Sequence, residues 1–221
     1  MLKADLHLHS NDDKRHRALS YDSKDLIDEA SKQGFDVLAL TFHGDVFYTK
    51  KIVNYAKKKG ILLISGIEKY IEEKEVLIYN LTQEESKKLN TFDDLRKLKS
   101  KKNILVIAPH PFFKTKSCLG NKLVKNIDVF DAIEYSHFYL PYFNLNRKAV
   151  RLAKKKNLSL VGTSDTHYIS QLGNTYSYID SEKNIEAIFQ AIKKGKVKMK
   201  SKPVTLKQFI ERFFKIILHR E

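Results

Sequence analysis

Asp5-Leu6-His7-Leu8-His9-Ser10 ends the alternation Leu2, Ala4, Leu6, Leu8 and reads as the close of a short strand. A period of two puts His7 and His9 on one face, where two imidazoles can approach one metal ion. A lone His-x-His is weak evidence, because two polar residues facing water give the same pattern. Five further segments change the reading. They are Thr41-Phe42-His43, Ser65-Gly66-Ile67-Glu68, Ala108-Pro109-His110-Pro111, Glu134-Tyr135-Ser136-His137 and Gly162-Thr163-Ser164-Asp165-Thr166-His167, and nearly all follow a run of Val, Ile and Leu.

Those runs predict strands at about residues 2–8, 36–41, 61–66, 104–108, 129–135 and 158–163, with a further pair near 75–81 and 175–179. They are nearly continuous in apolar residues, as parallel strands covered by helices are. Helical periodicity fills Lys24 to Ser31, Lys50 to Lys58, Asp93 to Lys99, Asn146 to Lys155 and Ile185 to Lys194. A weak repeat joins the two kinds of element. Ala30 to Gly34, Ala56 to Gly60 and Ala153 to Asn157 each end a helix on a residue suited to the left-handed cap, and each leads into an apolar strand. Alternating strands and helices imply a parallel sheet or barrel. In a (β/α) barrel the loops beyond the strands' C-terminal ends build the site, and all six motifs fall there.

With 221 residues and a hydrophobic fraction of 42%, the chain suits one well-buried domain. No apolar run approaches the length of a membrane span and no secretory leader precedes the first strand, so a soluble, cytoplasmic protein is expected. The single cysteine, Cys118, fits a reducing compartment and is expected to be a passive position. Lys plus Arg number 41 against 26 acidic residues, a net charge of +15 that favours anionic partners: phosphorylated metabolites, nucleic acid or a membrane surface. Runs such as Lys57-Lys58-Lys59 also suit solvated helix ends. Oligomeric state is not written in the sequence.

Of the eight histidines, only His219 stands outside the strand-end segments and the loop after the first. Imidazoles and carboxylates are ligands for divalent metals, and this set is too large for one ion, so two or three are expected. Adjacent ions need a bridging carboxylate, for which Glu68 is the natural candidate. Such a cluster makes hydroxide at neutral pH and clamps phosphate oxygens. In the loop Asn11 to Arg17, His16 is one candidate ligand and Asp12 or Asp13 another; Arg15 and Arg17 are candidates to hold a phosphate.

Through these motifs, nearly end to end, the chain resembles the polymerase and histidinol phosphatase (PHP) family of metal-dependent phosphoesterases. The resemblance implies a distorted, TIM-like (β/α)7 barrel over residues 1–202, carrying divalent Zn, Mn or Fe ions. By analogy His7, His9, Glu68 and Asp165 hold one ion, and Glu68 bridges to a second held by His110 and His137. His43, His167 and the loop ligand, taken as His16, hold a third. Glu68, Asp165 and His167 would then be catalytic, in hydrolysis of a phosphomonoester or a small nucleotide or nucleic-acid phosphodiester by a metal-bridging hydroxide. One departure stands out: the family commonly has Thr-Asp-His where this chain has Thr41-Phe42-His43, which removes a carboxylate from beside the ligand. That loss also motivates a second reading, a metal-binding regulatory module with little hydrolytic activity. Residues 203–221 form the last expected element, a basic amphipathic helix with Leu206, Phe209, Ile210, Phe213, Phe214, Ile217 and Leu218 on one face, packed on or appended to the domain.

Overall fold

Each helix–cap–strand unit of the sequence is recovered in the computed structural model, which describes residues 1–206 and 208–210. The elements run β1 (Leu2–Leu8), α1 (Ser23–Lys32), β2 (Val37–Leu40), α2 (Lys50–Lys58), β3 (Leu62–Ile71), β4 (Lys74–Tyr79), α3 (Gln83–Lys87), α4 (Phe92–Lys101) and β5 (Leu105–Ala108). They continue with α5 (Asn121–Lys125), β6 (Ala132–Ser136), α6 (Asn146–Lys156), β7 (Ser159–Thr163), β8 (Thr175–Ile179), α7 (Ile185–Lys193) and β9 (Val197–Ser201). Helix starts are set by side-chain caps. Asp22 accepts from the backbone N of Lys24 and Asp25 while Asp25 reaches back to the N of Asp22, and Thr91 and Asp94 do the same for α4. α6 stops at Asn157, which takes the left-handed conformation (φ 54°).

The strands form one sheet in the order β7-β6-β5-β4-β3-β2-β1-β8-β9. β1, β2 and β3 pair in parallel, as do β5, β6 and β7. β4 is antiparallel to both β3 and β5, and β8 is antiparallel to β1 and β9. The barrel expectation therefore holds, but the sheet is mixed, and β9 is a strand beyond those predicted. The β3–β4 hairpin turns on Glu72 and Glu73, both at positive φ, without the Asn-Gly or Asp-Gly signal that marks such turns.

The sheet curls until its two ends meet. Gly162 N on β7 donates to Ser177 Oγ on β8 at 2.9 Å, and the same hydroxyl donates to Gly162 O at 3.0 Å. A Cβ at residue 162 would lie 2.9 Å from Tyr176 O and 3.1 Å from Met199 Cβ, so only glycine lets the walls approach this closely. Inside, Ala4, Leu6, Val37, Ala39, Ile64, Leu77, Tyr79, Leu105, Ile107, Ala132, Val161 and Ile179 meet Ile188, Phe189 and Ile192 of α7. α7 thus packs into the barrel core, and each of these three side chains contributes about 1.5–3 kcal/mol by leaving water. Two outer layers complete the single domain: α1 and α2 over β1–β3, and α4 to α6 over β3–β6. Leu206 and residues 208–210 are helical, with Phe209 stacked on Phe138 at 4.7 Å. Of the expected 203–221 helix, residues 203–205 are not helical, so the start moves to Leu206, and Lys207 and residues 211–221 lie outside the described residues. No described helix is long and apolar enough to cross a membrane.

Candidate metal centre

β1 slips register by one residue against β2 between Asp5 and Leu8, a bulge that re-aims the side chains just before the strand ends. His7 and His9 are both fully buried there, with their Nε2 atoms 3.2 Å apart. One oxygen of Glu68, from the middle of β3, collects three imidazoles. Its Oε2 lies 3.3 Å from His7 Nε2, 3.3 Å from His9 Nε2 and 3.2 Å from His43 Nε2. Asp165 brings its Oδ1 to 3.5 Å from His7 Nε2 and 3.6 Å from His9 Nε2. On the other side of Glu68, Oε1 is 3.6 Å from His110 Nε2.

The far nitrogens of these rings are held from behind. His7 Nδ1 faces Glu134 Oε1 at 3.0 Å, and Glu134 also accepts from the backbone N of His110 at 2.6 Å and from Thr163 Oγ1. Asp13 Oδ2 serves two rings at once, His9 Nδ1 at 3.2 Å and His43 Nδ1 at 3.0 Å, and it accepts His43 N at 3.0 Å. The carboxylate lacking at position 42 is therefore supplied by the loop after β1. Phe42 instead points into the core, stacked on Phe47 at 5.1 Å. His110 Nδ1 faces Cys118 Sγ at 3.4 Å, so the lone cysteine takes a polar role behind a ring. His167 Nδ1 donates to the carbonyl of Asp165 at 2.9 Å. Such partners fix the tautomer and leave each Nε2 lone pair pointing inward.

His16 lies in the same loop with its ring 4.5 Å from His167, 4.9 Å from His43 and 5.0 Å from His9. Asp12, weighed as a ligand on sequence, is occupied elsewhere: its Oδ2 accepts Ser23 N at 2.9 Å at the start of α1. His137, buried at the end of β6, receives Gln171 Nε2 at 3.4 Å, while Gln171 Oε1 accepts His167 N at 2.7 Å. Arg15 is exposed at the rim, its Nη1 donating to Tyr70 OH at 3.1 Å with the guanidinium 4.9 Å from the ring. Arg17 is exposed on the same loop. His110 (φ 24°) and Asp165 (φ 45°) both hold left-handed backbone, strain of the kind that functional sites retain.

The electrostatics are those of a site built for cations. Burial disfavours a charged His7, yet Glu68, Glu134 and Asp165 raise its proton affinity well above the ordinary value. Burial likewise opposes ionisation of Glu68, and the charges of His7 and His43 outweigh it and hold the carboxyl well below the usual range. His16 is pushed down to about 4 by burial and by His9 and His43, so it is a neutral donor at pH 7. Burial lifts Asp5 to about 7 against hydrogen bonds from Ser164.

The donor set fits metal ions. Two ligands each about 2.1 Å from a tetrahedral ion stand roughly 3.4 Å apart, and the Nε2 and carboxylate separations above run from 3.2 to 3.6 Å. Glu68 Oε1 and His16 Nε2 are also buried without a hydrogen-bond partner. Groups whose ligand atoms lie within 4.8 Å of one another include His9/Asp13/His16/His43, His7/His9/Glu68, His7/His110/Glu134, His9/Asp165/His167 and Glu75/His110/Cys118. Sequence reading missed Glu134, although a carboxylate inside the buried strand Ala132–Ser136 was a signal for it. Gln171 and the use of Cys118 gave none.

The architecture is thus a barrel with a histidine- and carboxylate-lined mouth. Residues 5–140 match the PHP domain model and residues 144–197 the PHP-associated model, and the chain belongs to the PHP domain family. Among solved structures it is similar to a two-domain protein of Bacteroides vulgatus containing a predicted PHP-like metal-dependent phosphoesterase, with TM-score 0.67, 21% identity, and coverage of 97% of this chain and 69% of that one. It is also similar to PsfC of Pseudomonas syringae, with TM-score 0.61, 15% identity and coverage of 99% and 98%. By sequence it is 26% identical over 142 residues to the uncharacterized protein MJ1587 of Methanocaldococcus jannaschii, covering 59% of this chain and 82% of that protein.

Proposed function

We propose that the chain is a metal-dependent phosphoesterase that hydrolyses a phosphomonoester or a small nucleotide or nucleic-acid phosphodiester. The observation that carries this reading is the convergence of three imidazole Nε2 atoms on one oxygen of Glu68, each ring backed by a carboxylate. His7, His9, Glu68 and Asp165 would hold one ion, Glu68, His110 and His137 a second, and His43, His167 and His16 a third. When bound, Zn, Mn or Fe ions supply Lewis acidity toward phosphoryl oxygens and a hydroxide nucleophile at neutral pH. Glu68 and Asp165 would offset the ions' charge, and His167, its Nδ1 donating to the Asp165 carbonyl, would serve the reaction by presenting Nε2 to the third ion at the edge of the cluster. Arg15 and Arg17 at the rim would draw in and orient the phosphate. Residues 1–202 carry the catalytic unit, and the segment from 203 on, helical from Leu206, is appended to it, a packing that the Phe209–Phe138 stack supports.

The test is hydrolysis of p-nitrophenyl phosphate and a nucleotide panel by protein loaded with Mn, Zn or Fe. Turnover lost together with bound metal in Glu68→Ala and Asp165→Ala supports the reading. A folded, fully loaded protein with no turnover on any substrate overturns it and leaves the regulatory-module reading.

A further inference from the structure

β9 is an end strand of the sheet, paired only with β8. Its outward residues are lysines. Lys198 and Lys200 lie within the strand, and the pairing register continues past both ends, with Asp180 N donating to Lys196 O at 3.0 Å and Lys202 N to Asn174 O at 2.9 Å. Lys196, Lys198, Lys200 and Lys202 therefore share one face, about 6.8 Å apart at twice the strand rise. All four are exposed, and none has an ion-pair partner among the described residues. Lysine on an edge strand guards it against aggregation; four on one face also make a continuous line of positive charge.

The row also has a direction. β8 is antiparallel to both β1 and β9, so β9 runs parallel to β1 and Lys202 lies at the end of the barrel where His9 emerges. Two residues on, Val204 N donates to Tyr139 O at 3.0 Å, which ties the end of the row to the 137–145 loop. That loop displays aromatic rings to solvent: Tyr142 is 95% exposed and Phe143 49%. Across from it Phe113 stacks on His110 at 6.0 Å, nearly parallel.

We infer that this lysine row and the aromatic loop form a track for single-stranded nucleic acid leading into the metal centre. Regularly spaced cations follow a phosphate backbone, and exposed rings stack bases without regard to sequence. A flat basic face without rings would suit any polyanion. Here the rings stand where the strand would reach the mouth, so a polynucleotide is the fitting occupant. The inference rests on the phosphoesterase reading only for the statement that the strand is substrate, not for its binding.

The experiment measures fluorescence anisotropy of labelled single-stranded DNA, RNA and duplex DNA oligonucleotides with the full-length protein in EDTA, over a salt series. The expected result is preference for single strands over duplex. Lys198→Gln/Lys200→Gln should weaken binding at least fivefold and reduce the salt slope by about 1.4, or ~0.7 for each phosphate that is no longer neutralised. Tyr142→Ala/Phe143→Ala should weaken binding at least fivefold with the slope unchanged. Lys97→Gln/Lys101→Gln on α4, remote in the sheet order, should leave it as it was. Equal losses from the β9 and α4 pairs, or tighter binding to duplex, would overturn the track. Hydrolysis of p-nitrophenyl phosphate by the wild type keeps the two readings apart: turnover without oligonucleotide binding removes the track alone, and binding without turnover removes the phosphoesterase alone.

Discussion

Replacing Asp13 by Asn tests whether one loop carboxylate organises two metal-facing rings. Asp13 Oδ2 accepts three bonds, from His43 N, His43 Nδ1 and His9 Nδ1. The backbone bond is the same with or without metal, so it cancels in metal affinity. The two imidazole bonds do not cancel, because a full negative charge behind each ring increases its donor strength at Nε2. Charge-assisted bonds are worth about 1.5–3 kcal/mol and neutral ones about 0.5–1.5, so losing the charge costs about 1 kcal/mol for each ring. The sum of about 2 kcal/mol corresponds to a ~30-fold weaker affinity. Competition with a chromophoric chelator for Zn²⁺ measures it, and circular dichroism checks that the variant is folded. A change of less than threefold in folded protein would refute the assignment of Asp13 as the substitute for the carboxylate missing at position 42.

Three further outcomes follow from the same geometry. Phe42→Asp removes a buried ring stacked on Phe47 and places a carboxylate in its apolar slot, so chemical denaturation should read a loss of at least about 3 kcal/mol; metal affinity should not rise, since Asp13 already holds His43 Nδ1. Protons compete with metal for imidazole nitrogen, and the carboxylates around His7 outweigh burial and raise its proton affinity well above the ordinary value, so its protonated form persists to higher pH. Zn²⁺ affinity should therefore fall at least tenfold as pH drops from 8 to 6, and a flat chelator-competition profile would contradict this. Gly66→Ala would place a Cβ 2.9 Å from Thr41 Cγ2 and 3.1 Å from Tyr79 Cδ1, a clash costing about 1–3 kcal/mol in thermal or chemical denaturation, with β3 displaced two residues before Glu68.

Most strand ends were legible because a histidine or acid after a buried apolar run breaks the pattern sharply, and that break recurs from His7 to His167; β3 is the exception, since it runs on through Glu68 to Ile71 in its hairpin with β4. Three helix C-termini were legible because Gly34, Gly60 and Asn157 suit the left-handed conformation, and all three adopt positive φ. The β3–β4 reversal was hidden: Glu72 and Glu73 adopt positive φ under pairing forces from both strands, and neither residue type signals a turn. β9 was hidden because its alternation of lysine with Val197 and Met199 has too few apolar residues to stand out from a charged tail. Within the site, ligand types can be read from composition, but the groups behind them cannot. Asp13 and Asp12 are neighbours in one polar loop, yet one backs two histidines and the other fastens the start of α1. Only the path of the chain between Ser10 and Ser23 decides between them.

The wall beneath Asp165 is closed by side chains, with Ser177 clasping Gly162 and the Asp5 carboxylate accepting Ser164 N at 3.1 Å. Above those contacts a single backbone bridge joins Leu8 to Thr166, where every other junction in the sheet is a continuous ladder. Leu8 lies between His7 and His9, and Thr166 follows Asp165, so that bridge couples the acid to both imidazoles. The lower wall can therefore loosen at its side-chain clasp while the ligand set above it stays in one piece, held by one pair of peptide groups.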